Sequence, residues 1–123
     1  KYINELVKIK NHKINVIACL SVRDNLGMSL SSRNSKLNKD QLEIFKNLAK
    51  KISKLIVIIK QRKTKIELEN FKKDLSKINI NKIDYFEIRD EDNLSVTNDY
   101  ARSRLFIALY IDEIRIIDNF KLY

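Results

Sequence analysis

The stretch Gly27-Met28-Ser29-Leu30-Ser31-Ser32-Arg33-Asn34 sets three serines, an arginine and an asparagine beside the only glycine of the chain. Ser31 and Ser32 offer hydroxyl donors and backbone amides, and Arg33 adds a planar fork that matches the oxygens of a phosphate. Gly27 lets the backbone turn where a side chain would resist, and Asn34 can pin the loop through side-chain bonds to backbone. The segment reads as too polar to pack, and its chemistry is that of gripping an oxyanion. Taken without context, the same four residues Ser31 to Asn34 also describe a turn ahead of a helix.

Other constellations are sparse. His12 is the single histidine, which removes Ser/His/Asp and Cys/His nucleophilic sets and most zinc sites built within this chain; it reads as a solvent-exposed loop residue. Cys19 is the single cysteine, cannot form an internal disulfide, and sits in an apolar run where it reads as a small hydrophobe. Asp90, Glu91 and Asp92 cluster, but without a glycine turn or calcium-loop spacing they read as a solvated turn.

The elements that must position the loop follow from periodicity. Residues 1–10 suit the end of a helix, with Ile3, Leu6, Val7 and Ile9 as its apolar positions. Residues 13–20 are β-branched and nearly continuously apolar, the pattern of a strand buried on both faces, although nothing upstream supplies a partner. After the loop, Asn38 and Gln41 stand at capping-box spacing. Apolar residues then recur from Leu42 through Phe45, Leu48, Ala49, Ile52, Leu55 and Ile56 to Ile59, predicting a long amphipathic helix to about residue 61. Thr64 and Glu67 repeat the box, and Leu68, Phe71, Leu75 and Ile78 continue as a second helix. Residues 83–89, 104–111 and 114–120 read as strands, the last two separated by Asp112-Glu113, the length of a tight hairpin. The expected class is α+β, a three-stranded antiparallel sheet packed with helices and preceded by one leftover strand.

The 123 residues suffice for one modest core, and no apolar run, the longest being 105–111, is long enough to span a bilayer. With no signal-peptide pattern and one cysteine, a cytoplasmic setting is expected. The net charge of +9 is uneven: residues 36–82 carry 14 basic and five acidic groups, residues 83–123 five and nine. A basic stripe in the middle segment invites a nucleic-acid reading. Against it stand the acidic last third, the lack of an aromatic stacking platform, and a residue usage dominated by Lys, Ile and Asn, all with A/T-rich codons.

Three segments together resemble the pantothenate synthetase (pantoate-beta-alanine ligase) family. The apolar run, then Val22-Arg23-Asp24, the glycine and Leu30-Ser31-Ser32-Arg33-Asn34, is similar to the family's strand, V-R-E and D-G-L-A-M-S-S-R-N. IDYFEIRDEDNL resembles D-Y-x-E-I-x-D-x-x-T-L, and RLFIALYIDEIRIIDNF resembles the closing strand and L-G-x-x-R-L-I-D-N. The resemblance implies a C-terminal lid domain at 22–123 over a Rossmann-type nucleotide domain, of which 1–21 would be the tail. It implies activation of pantoate by ATP and Mg2+ to a pantoyl adenylate, then attack by beta-alanine, in an enzyme that is a homodimer. By position it makes Leu30, Ser31, Ser32 and Arg33 the ATP-contacting loop and Val22 a nucleotide contact, with Ser31, Ser32 and Arg33 catalytic. The family's P-T-M-G-A-L-H-x-G-H phosphate loop and pantoate pocket have no counterpart in these residues, so the chain is expected to be a fragment that makes no pantothenate alone. Leu30 replaces the family's methionine, Leu26 its aspartate before the glycine, and Asp112 its hairpin glycine, where a positive φ is expected.

Overall fold

The computed structural model of the protein describes residues 2–62, 66–80 and 82–123. The first element, α1 (Tyr2–Ile9), is the expected short helix, yet none of its residues is buried. The second, α2 (Lys39–Arg62), starts where the capping box places it. The Asn38 amide donates to Gln41 Oε1 at 3.0 Å, and the Gln41 amide donates to Asn38 Oδ1 at 2.9 Å. Two of the amides a helix start leaves without partners are thereby satisfied reciprocally. The Thr64/Glu67 box lies outside the described residues. Helix α3 (Ile66–Leu75) follows, extended by a 3-10 turn over Ser76–Ile78 that ends at Asn79 with φ 60.

Three strands form one antiparallel sheet in the order β1 (Lys82–Asp90), β2 (Ser103–Ile111), β3 (Ile114–Lys121). Alternation sorts their faces. Phe86, Ile88, Leu105, Ile107, Leu109, Ile111 and Ile116 point into the core with Phe45, Leu48, Ile52, Leu55 and Ile59 of α2 and Leu68 and Leu75 of α3. Tyr85, Glu87, Phe106, Tyr110 and Asn119 alternate with them and are less buried. The two-residue hairpin closes at Asp112, whose φ of 50 meets the expectation raised by the family's glycine there. Gln41 Nε2 donates to Asp112 Oδ2 at 2.7 Å, so the side chain that closes the cap of α2 also fastens that helix to the β2–β3 hairpin.

One expected element is absent. Residues 13–20 form no strand among the described residues, and Ile14, Ile17 and Leu20 are exposed, as is Cys19, which was expected inside that strand. A strand exists only as part of a ladder, and no described strand pairs with this segment, so its apolar side chains have nothing to pack on. The leftover strand of the expected architecture is therefore corrected to an exposed irregular connection.

Tyr100 is almost fully buried and its hydroxyl has no hydrogen-bond partner among the described residues; burial pushes its pKa up. A buried polar group without a partner carries its full desolvation penalty. Tyr100→Phe is expected to leave stability unchanged or to raise it by about 1 kcal/mol, read as a higher urea midpoint at constant slope.

Candidate functional site

Residues 22–30 fold back on themselves as a small irregular hairpin. Arg23 and Ser29 form an antiparallel bridge, the Leu30 amide donates to the Val22 carbonyl at 2.9 Å, and the Asp24 amide to the Met28 carbonyl at 2.8 Å. Asp24 Oδ1 accepts from the amides of Leu26 (2.9 Å) and Met28 (3.0 Å), holding the turn from inside. Gly27 sits at φ 82, in the left-handed region. A Cβ built there meets nothing closer than Ser53 Oγ at 3.9 Å, so backbone conformation, not lack of space, demands glycine.

The loop does pack, against expectation. Met28 is 2% exposed and joins the core, so one apolar side chain plugs the polar loop into the molecule. Beside it lies an ion pair that sequence reading did not foresee. Arg23 Nη1 donates to Asp118 Oδ2 at 3.0 Å and Nη2 to Oδ1 at 3.2 Å, joining positions 95 residues apart. The same guanidinium donates to the carbonyls of Gly27 (2.7 Å) and Asn119 (2.8 Å) and lies over the Phe120 ring at 4.8 Å. A signal for it existed: Asp118 is a lone acid in the apolar strand IRIIDNF, and a buried carboxylate requires a partner.

From Ser29 the segment runs outward. The Asn34 side-chain amide donates to the Ser29 carbonyl at 3.1 Å, the Arg33 amide to Ser31 Oγ at 3.1 Å, and Ser35 Oγ to the Ser32 carbonyl at 2.8 Å. These bonds shape the turn and, among the described residues, leave the Ser31 and Ser32 hydroxyls and the Arg33 guanidinium without an acceptor. The Arg33 guanidinium is exposed and has no ion-pair partner among the described residues. Ser31 Oγ uses a lone pair on the Arg33 amide and keeps its own hydrogen to donate.

Leu30, Ser31 and Arg33 line a cleft of about 410 Å³ whose other wall is Tyr85, Phe106 and Ile117 on the open face of the sheet. Of the expected site residues, these three are brought to one cavity. Ser32 and Val22 are exposed and do not line it; Val22 joins the site through its carbonyl, bonded to Leu30. Free hydroxyl and guanidinium donors around an open cleft suit an anionic ligand, and the aromatic wall suits a flat or apolar part of it.

Two other expectations resolve nearby. His12 is exposed outside regular structure. The acidic cluster is a turn: Asp90 Oδ1 accepts from the amides of Asp92 (2.8 Å) and Asn93 (2.9 Å), and Asp92 pairs with Arg102 at 3.1 Å. Glu91 accepts from the Tyr123 hydroxyl and from Arg104, which hold its carboxyl below the usual carboxylate range against the opposing pull of burial. Arg104 in turn donates to Asn119 Oδ1 at 2.7 Å. Among the described residues no three His, Cys, Asp or Glu side chains converge to hold a metal ion. No helix among them is long and apolar enough to cross a membrane. The middle-segment lysines partly pair along their own helices, as Lys46 with Glu43, Lys72 with Glu69 and Lys77 with Asp74.

The profile of the pantoate-beta-alanine ligase family matches residues 1–121. The pantothenate synthetase of Cytophaga hutchinsonii is 31% identical over 122 residues, covering 95% of this chain and 43% of that protein. That of Clostridium novyi is 32% identical over 123 residues, with 96% and 43% covered. The chain thus spans less than half the length of the curated relatives it matches. Among solved structures, a pantothenate synthetase from Thermus thermophilus superposes with a TM-score of 0.83 at 24% identity, covering 98% of this chain and 45% of that one, which speaks to the fold. Pantoate-beta-alanine ligase from Francisella tularensis, complexed with beta-gamma ATP and beta-alanine, superposes with a TM-score of 0.69 at 27% identity, covering 98% and 38%. The alternative of a free-standing nucleic-acid-binding module finds no support in these likenesses.

Proposed function

The chain belongs to the pantoate-beta-alanine ligase family, and on that premise we propose that residues 22–123 are the part of a pantothenate-forming enzyme that grips the triphosphate of ATP, with 1–21 leading from the nucleotide-binding part. The observation that carries this reading is that Arg33, its guanidinium unpaired among the described residues, and Ser31, its hydroxyl hydrogen unspent, line one cleft of about 410 Å³. The Francisella relative, complexed with beta-gamma ATP and beta-alanine, supports nucleotide as the ligand class.

In this reading the carboxylate of pantoate attacks the α-phosphorus of ATP, pyrophosphate departs, and the amine of beta-alanine then displaces AMP from the adenylate. Negative charge builds on the departing pyrophosphate, and donors aimed at those oxygens lower the barrier because they bind the transition state more strongly than the ground state. Arg33 supplies a charge-assisted clamp, and Ser31 and Ser32 short directional bonds. Leu30 and the Val22 carbonyl frame the loop's entry, and Leu30 keeps the apolar volume of a methionine there. Closing the loop over the nucleotide excludes water, which protects the adenylate from hydrolysis. The Mg2+ implied by the family finds no converging set of three carboxylates among the described residues that fits it, since Asp118 is spent on Arg23 and the Asp90, Glu91 and Asp92 carboxylates accept from backbone amides, Arg102, Arg104 and Tyr123.

The test is an assay with ATP, pantoate and beta-alanine. The chain by itself is expected to give no pantothenate, and the chain joined to the remaining portion of a curated relative to turn over. Normal turnover by the isolated chain, or none by a folded fusion, would remove the reading.

A further inference from the structure

We propose that Asp118, acting through Arg23 and the Ser29 amide, is the residue that positions the phosphate-gripping loop; the inference rests on the role given to Ser31 and Arg33 above. Asp118 lies on β3, the edge of the sheet, and its side chain is only 2% exposed. Four donors converge on that one carboxylate. Oδ2 receives the Ser29 amide at 2.8 Å and Arg23 Nη1 at 3.0 Å; Oδ1 receives Arg23 Nη2 at 3.2 Å and the Asn119 amide at 2.7 Å.

The consequence is geometric. Ser29 is the last residue before the gripping segment, and its amide is tied to the sheet while its carbonyl is tied to Asn34 at the segment's far end. The other backbone tether, Leu30 to Val22, is anchored next to Arg23, itself held by Asp118. Both tethers of the turn therefore lead to one carboxylate on a rigid strand. Ser31 and Arg33 are not touched by Asp118, but their origin is fixed by it. Displacing a reacting or stabilising group by 1 Å can cost about a hundredfold in rate.

The consequence is also electrostatic. Asp118 borders the same cleft as Ser31 and Arg33, where an unneutralised carboxylate would repel a polyanion. Arg23 spends both Nη groups on neutralising that charge and on the carbonyls of Gly27 and Asn119. It is a structural cation, and Arg33 is the one left free to meet ligand. Two arginines ten residues apart in sequence thus divide the work of holding the loop and holding the phosphate.

The experiment uses the complete enzyme, formed by this chain with the remaining portion its relatives possess, and compares Asp118→Asn, Arg33→Ala and the double variant. Asp118→Asn keeps the shape and loses the charge and its paired geometry. Rates are expressed per folded active site, so that partial unfolding does not enter. Asp118→Asn is expected to lower kcat/KM for ATP by about ten- to a hundredfold while KM for pantoate stays within about twofold. Because Asp118 acts through the loop and places Ser31 as well as Arg33, the double variant is expected to lose more than Arg33→Ala alone but well short of the product of the two single losses. A purely structural Asp118 would reduce the folded fraction and leave the kinetics of folded enzyme unchanged, and that result overturns the inference. So does a double variant whose losses multiply. A defective Arg33→Ala beside a normal Asp118→Asn removes this inference alone; a normal Arg33→Ala removes the reading of the loop on which it stands.

Discussion

Arg33→Ala in the complete enzyme is expected to lower kcat by about 10²- to 10³-fold, the equivalent of about 3 to 4 kcal/mol of lost transition-state stabilisation. The size follows from what Arg33 is free to do. Its guanidinium has no ion-pair partner among the described residues and is exposed, so the protein's own stability gains nothing from it, and truncation is expected to change folding by no more than about 0.5 kcal/mol. A loss of rate therefore reports chemistry and not unfolding. Charge on the leaving pyrophosphate grows as the bond to the α-phosphorus breaks, so the clamp is stronger in the transition state, and kcat must fall along with kcat/KM for ATP. KM for pantoate should stay near its wild-type value. Arg33→Lys keeps the charge and loses the planar fork, and is expected to fall between the two enzymes. The measurement is steady-state release of pyrophosphate across ATP concentrations. A raised KM for ATP with kcat intact would show that Arg33 holds substrate and transition state equally, and the catalytic assignment would be withdrawn.

How much of this was legible in the sequence depends on how local each signal is. The start of α2 was readable because Asn38 and Gln41 satisfy one another across a single turn, and the bonds at 3.0 and 2.9 Å are the ones that spacing implies. The hairpin at Asp112-Glu113 was readable for the same reason. Residues 13–20 carry a strand pattern and form no strand because apolar, β-branched residues announce hydrophobicity and not the ladder that would satisfy it. Within the loop, the polar company of Met28 hid its role as the plug into the core. The Arg23–Asp118 pair was out of reach of periodicity altogether, since its partners are 95 residues apart and obey no repeat. Both residues lie inside segments that carry the family resemblance, Val22-Arg23 and Asp118-Asn119, so resemblance marked the places and only geometry joined them.

Phe86→Ala is expected to destabilise the chain by about 3 to 5 kcal/mol, a large share of the roughly 5 to 15 kcal/mol a domain of this kind possesses. Phe86 is 1% exposed at the middle of β1, paired in register with Ile107 on β2. It is also where the two layers meet: its ring stacks on Phe71 of α3 with centroids 5.1 Å apart and an interplanar angle of 24°. Truncation removes the burial of a large ring, leaves a cavity between sheet and helix that neither layer can close by sliding, and deletes the ring pair, itself about 0.5 to 1.5 kcal/mol. Phe86→Leu retains most of the volume and loses the stacking, so about 1 to 2 kcal/mol is expected. Val57→Ala, at a residue of α2 that is 54% exposed, should stay within about 0.5 kcal/mol. Urea unfolding followed by far-UV circular dichroism separates the three. A Phe86→Ala chain within about 1 kcal/mol of the parent would mean that α3 does not seal the sheet through this pair, because a core filled to ordinary density has no slack to absorb the loss of a phenyl ring.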